Sequence, residues 1–188
     1  MKFTVLFILT AILAFRNPLI AALLWTGGIA FFHMLEEAQG RLWAYFGELL
    51  EADWLRHLSA HAGLILIVWP AFVLQAGAAY GAFSAAQVNP FWLSLLIGAR
   101  IGDGLFSHFI PFAQGFAAPR TGKVQEQLNP GLATAVVYLV DSLLLALLFN
   151  QELLSAASGT VLAGAALGAG FFALVQPGLK LASRFVRA

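Results

Sequence analysis

The segment Phe31-Phe32-His33-Met34-Leu35-Glu36-Glu37 sets one imidazole and two adjacent carboxylates inside an apolar run long enough to cross a bilayer. Each ionisable group at membrane depth costs roughly 2.5–3.5 kcal/mol on insertion scales, so such groups are retained for function by default. His33, Glu36 and Glu37 stand at i, i+3 and i+4 and share one helical face. His108 and Asp141 lie within later apolar runs, and His57 and His61 form another i, i+4 pair. Arg100 and Asp103 are three residues apart, a spacing that predicts mutual neutralisation on one helix.

Imidazole and carboxylate ligands suit Zn²⁺, Fe²⁺ or Mn²⁺. A histidine and a glutamate one turn apart can share an ion, as they do in di-iron bundles. The expected ligands are therefore His33, Glu36 and His108, with His61 completing the set and His57 as the alternative. Glu37 is expected to act as general base or to support a ligand, and Asp141 to assist from the bundle interior. A divalent ion with an open position would serve hydrolysis or oxidation. The chain has no cysteine, which excludes disulfides, iron–sulfur clusters and thiolate metal sites. The same residues fit metal-free acid–base catalysis, with a buried glutamic acid and a neighbouring histidine isomerising a lipid-like substrate. Trp25, Trp43, Trp54, Trp69 and Trp92 would then help to line an apolar pocket. They also fit a proton or metal-ion transporter, although no internal repeat is visible and the ionisable residues crowd into one leaflet.

These residues are held by a chain that is 61% hydrophobic and 10% charged, with a mean hydropathy of +0.85. A soluble domain carries about 25% charged residues. The excess lies in long apolar blocks, which predicts a single all-α integral membrane domain over residues 1–188. Proline, glycine and charge mark its hydrophobic segments at about 3–15, 18–38, 61–83, 90–116, 130–149 and 159–175. Five to six of these are expected to be membrane helices. Phe3–Phe15 is short for a span. It has the look of a signal peptide, but no small-residue cleavage site precedes Arg16-Asn17-Pro18, so a retained helix is expected. Arg41–Ala60 reads as an amphipathic interfacial segment, and Lys180, Arg184 and Arg187 as the basic face of a short terminal helix.

Arg41 and Arg56, then Arg120 and Lys123, then the C-terminal basic residues recur on one side of these spans. The intervening loops Ser84–Asn89 and Asn150–Ser158 have neither lysine nor arginine. The positive-inside rule makes the basic side and the C-terminus cytoplasmic. A helix rise of about 1.5 Å per residue then puts His33, His108 and Asp141 in the cytoplasmic half, roughly 8–16 Å deep. Gly27, Gly28, Gly98, Gly102 and Gly104 allow helices to approach closely, and small residues across Gly164–Gly170 permit association into a homo-oligomer. The net charge of +1 and the scattered basic residues argue against nucleic acid as a partner.

His33-Met34-Leu35-Glu36-Glu37 resembles the signature of a family of bacterial integral membrane proteins named for its HXXEE motif. The resemblance extends to Gly104-Leu105-Phe106-Ser107-His108 and to Pro130-Gly131 followed by Leu132-Ala133-Thr134-Ala135, across roughly residues 20–148. It implies a bacterial inner-membrane protein with functional histidines at His33 and His108, and it supplies no reaction. The chain departs from the pattern at Gly104, where the family often has asparagine, and at Leu128, where it often has tyrosine. Together these readings predict a membrane enzyme acting on a hydrophobic, lipid-like substrate, with its cavity in the cytoplasmic half.

Overall fold

The computed structural model describes residues 2–117 and 129–186, which are helical and contain no strand. Arg120, Lys123, Leu128 and Arg187, invoked above, lie outside the described residues. Proline at a first helical position and a polar cap before it start the long helices, because proline lacks only an N–H that would be unpaired there. After α1 (Lys2–Ala14), Asn17 accepts from the Ile20 amide and Pro18 opens α2 (Pro18–Gln39). Pro18 thus separates two helices rather than kinking one. The short helices α3 (Leu42–Leu49) and α4 (Asp53–Arg56) follow. Ser59 caps α5 (Ala60–Phe83) through the Ala62 amide. Asn89 caps α6 (Pro90–Gln114) through the amides of Phe91 and Trp92. Then come α7 (Leu132–Leu148), α8 (Asn150–Ser155) and α9 (Ser158–Val186). Lys180 and Arg184 lie on α9, which continues past Pro177, instead of on a separate helix.

Four of these helices, α2, α5, α6 and α9, are long and apolar enough to cross a membrane, while α1 and α7 are apolar but shorter. Leucine, valine and phenylalanine cover much of the exterior, including Phe7, Leu66, Leu143 and Leu174. The Arg41–Ala60 region is more than an interfacial strip. Its Leu42, Trp43, Phe46 and Leu55 are buried in one cluster with Met34 and Val68, against Val175 and Leu179 of α9. Trp54 donates to Ser183, so α4 and the end of α9 close the same end of the bundle.

The tightest seam joins α6 to α9. Gly98 and Gly102 on one helix, and Gly164 and Gly168 on the other, are each four residues apart. A Cβ on Gly98 or Gly102 would lie 2.7 Å from Cα of Ala165 or Ala169, and one on Gly168 would lie 2.5 Å from the Ala99 nitrogen. Small residues let apolar helices gain dispersion contacts where no hydrophobic force draws them together. The stripe read as an oligomer face is therefore consumed within the chain at Gly164 and Gly168, whereas a Cβ on Gly170 would meet nothing.

Two stretches depart from α geometry. Leu64–Val68 within α5 and Asp103–Phe109 within α6 are π-helical, a form that concentrates at functional sites.

A Gly98→Val substitution should lower unfolding stability in detergent by about 1–3 kcal/mol, the usual cost of overpacking. Gly170→Val should change it far less. Thermal or SDS titration of both variants checks this.

Candidate metal centre

The π-turn in α6 determines which side chains meet. In an α-helix, residues five apart point roughly 140° away from each other. A π-turn closes over five residues and returns i+5 toward i. Asp103 and His108 therefore face the same way, toward the face of α2 that carries His33 and Glu37. The four are fully buried, and their ligand atoms lie within 4.8 Å of one another. The two Nε2 atoms are 3.1 Å apart. Glu37 Oε1 is 3.4 Å from each of them. Asp103 Oδ2 lies 3.2 Å from His33 Nε2, and its Oδ1 lies 3.7 Å from His108 Nε2.

The outer ring atoms assign the tautomers. Asn129 gives both amide hydrogens to the carbonyls of Ser107 and His108, which turns its Oδ1 toward His108 Nδ1 at 2.9 Å. His108 Nδ1 therefore donates. Thr134 Oγ1 donates to Glu36 Oε2 at 2.6 Å and so accepts from His33 Nδ1 at 2.5 Å. In the neutral imidazoles both Nε2 lone pairs then point into the same small space. Such outer partners orient metal-binding histidines and raise their basicity. Gln75 donates to Asp103 Oδ2 at 2.8 Å, while the buried Asp103 Oδ1 has no hydrogen-bond partner among the described residues.

Two carboxylates beside these ring nitrogens call for positive charge, from a metal ion between them or from protons on the imidazoles, which would then pair with Glu37 and Asp103. A tetrahedral zinc ion with bonds of about 2.0–2.1 Å sets its ligand atoms roughly 3.3–3.4 Å apart. Four of the separations, 3.1, 3.2, 3.4 and 3.4 Å, are close to that edge length, and the His108–Asp103 separation is longer at 3.7 Å. The group could hold a metal ion, and its nitrogen and oxygen donors suit zinc, iron or manganese.

The chain seals one side of this group with Asn129-Pro130-Gly131. Gly131 has φ of 89°, and a Cβ there would come within 2.5 Å of His108 Cε1 and 3.0 Å of His33 Cε1. Only glycine accepts both the left-handed backbone and this approach. Tyr138 closes another side, its ring 4.3 Å from that of His33.

Of the residues singled out in the sequence, His33, Glu37 and His108 meet here. Glu36 does not reach the centre. It turns instead to the amide and hydroxyl of Thr134. His61 and His57 are exposed near the start of α5 and are not brought to the site. Asp141 is buried away from it, accepting from Trp25 Nε1 at 2.7 Å and pairing with Arg100. Arg100 also donates to the Thr26 carbonyl at 2.7 Å. The expected Arg100–Asp103 pair is therefore replaced by Arg100–Asp141, because the helix packs Arg100 toward α7 while the π-turn carries Asp103 to the histidines. Asp103, Asn129, Thr134 and Gln75 are the members that spacing did not reveal. The local signals were Asn129, a polar side chain immediately before the Pro130-Gly131 turn, and Thr134, a hydroxyl three residues after it.

Comparison with protein families, curated proteins and solved structures found no match to this chain.

Two outcomes follow from this geometry. Thr134→Val, which removes the hydroxyl linking His33 to Glu36, should weaken metal affinity about 10–100-fold without unfolding the protein, as loss of an outer partner does; competition with a fluorescent chelator measures it. Asp141→Ala strands a buried guanidinium and should cost about 3–5 kcal/mol of stability, much of it regained in the Arg100→Met, Asp141→Ala double variant. SDS unfolding of the three proteins checks that order.

Proposed function

We propose that the protein is an integral membrane enzyme that uses a divalent metal held by His33, Glu37, Asp103 and His108 to act on a hydrophobic substrate. The observation that carries this reading is the convergence of two buried histidine Nε2 atoms and two buried carboxylates, all within 4.8 Å of one another. Five to six of the apolar helices would lie in the membrane, including the shorter α1 and α7. The basic end of the bundle would face the cytoplasm of a bacterium, as the loop charges argue. The HXXEE resemblance supports the same placement of His33 and His108.

A metal held here would supply Lewis acidity; because four protein side chains complete a tetrahedral set, activation of water or dioxygen would call for a fifth coordination place or the release of one carboxylate. The chain's own part is to hold two imidazoles in fixed tautomers, to exclude bulk water, and to keep a carboxylate beyond them. Glu36, half-buried and joined to His33 through Thr134, is placed to take up or return a proton at the outer edge. Hydrolysis and oxidation both fit this arrangement.

Elemental analysis of untagged protein tests the proposal. The wild type should carry about one equivalent of Zn, Fe or Mn. His33→Ala, His108→Ala and Asp103→Ala should lose it, whereas His61→Ala should keep it. Acidification should release the metal, since protons compete for imidazole and carboxylate ligands. Folded wild-type protein that stays metal-free after reconstitution with each ion would remove this mechanism.

A further inference from the structure

A cavity of about 360 Å³ ends on the metal-binding group. Its floor includes Glu37 and Asp103 but neither histidine, so only the carboxylate side of the centre is open to it. The remaining wall is apolar, apart from Ser107, and is built from α3, α5, α6 and α9. Phe46 and Phe172 are buried in it. Leu66 and Leu174, 57% and 70% exposed, stand at its mouth. The exposure of these two leucines puts an opening between the π-helical part of α5 and α9, on the apolar exterior. The volume sits near the lower bound of small-molecule sites, roughly 300–1,000 Å³, which suits one chain and not the two of a diacyl lipid.

Charge narrows the occupant further. Among the described residues, no lysine or arginine lines the cavity. Arg100 is buried but committed to Asp141 and the Thr26 carbonyl. A phosphate or carboxylate head would meet two carboxylates with no basic side chain among the described lining residues to receive it. With the dication in place, two carboxylates and two neutral imidazoles sum to zero, so a charged head of either sign gains nothing.

We infer that the substrate is a single-chain lipid with an uncharged oxygen-bearing end, an alcohol, aldehyde or ester, which enters sideways between α5 and α9 and rests that end on the Glu37–Asp103 side of the centre. What the head meets rests on the metal reading above; the chain site and its lateral mouth do not.

The test is photolabelling in phosphatidylcholine nanodiscs with three diazirine-bearing probes of equal chain length: hexadecanol, hexadecyl phosphate and hexadecylamine. The alcohol should label peptides carrying Leu66–Ala71 and Phe172–Leu179 at least tenfold more than the phosphate, and unlabelled hexadecanol should compete. Two variants narrow the cavity from opposite walls, Ala71→Leu from α5 and Gly178→Phe from α9, where a Cβ meets nothing within 4 Å. Each should cut labelling at least tenfold while keeping the metal content of the wild type. Equal labelling by the phosphate, or labelling unchanged in both variants, overturns the inference. Preference for the amine overturns the uncharged head and marks carboxylates that hold no metal. Metal bound without labelling of the cavity defeats the substrate assignment alone. Labelling as expected in protein that never binds metal defeats the metal reading and keeps the chain site.

Discussion

Two imidazole lone pairs and two carboxylates crowded into a few ångströms of apolar bundle form an arrangement that has to be held together from outside. Isolated charges in such surroundings are expensive, and partial satisfaction is worse than none. The neighbouring elements supply that restraint. Asn129, anchored by two backbone carbonyls, fixes one ring through a single hydrogen bond, and Thr134 fixes the other through a hydroxyl already committed to Glu36. Gln75 steadies one oxygen of Asp103. Arg100 and Asp141, which would disturb the balance if either stood alone, neutralise each other one layer away. Tyr138 separates the two systems, with His33 against its ring and the Arg100 guanidinium 5.0 Å from its centroid.

Backbone packing transmits this restraint. The glycine seam between α6 and α9 brings two backbones into contact and fixes the position of the helix that carries both Asp103 and His108. Gly131 does the same from the α7 side, where the turn sits directly on the two rings. Between α5 and α9 the packing leaves room for the cavity. Rigidity around the centre and openness toward the apolar exterior thus come from the same distribution of small and large residues.

Much of this was legible in the residue pattern. Apolar blocks bounded by proline, glycine and charge predicted helices, and Pro18 and Pro90 do open two of them behind the caps Asn17 and Asn89. The cost of burying ionisable groups drew attention to His33, Glu37 and His108. Other features depend on information that spacing lacks. Glu36 and Glu37 both flank His33 at helical spacing, and only the packing of α2 decides which carboxylate turns inward. Arg100 finds its partner 41 residues along the chain at Asp141 rather than three residues away. Asn129 and Thr134 are neutral and short, so nothing in their hydropathy announces a role. Asp103 was hidden by the assumption of 3.6 residues per turn, under which it points away from His108.

That last feature has a wider meaning. Each π-turn advances the helical phase by one residue, roughly 100°. Before Asp103, α6 offers its glycines to α9; after it, the helix offers acid and imidazole to α2. A single cylinder thus behaves like a shaft cut with two keyways that do not line up. Removing one residue between 103 and 109 would bring them into line. The glycine seam and the composition would survive, but the four ligand-bearing side chains would no longer converge. The centre is therefore written in the number of residues in this helix as much as in their identity.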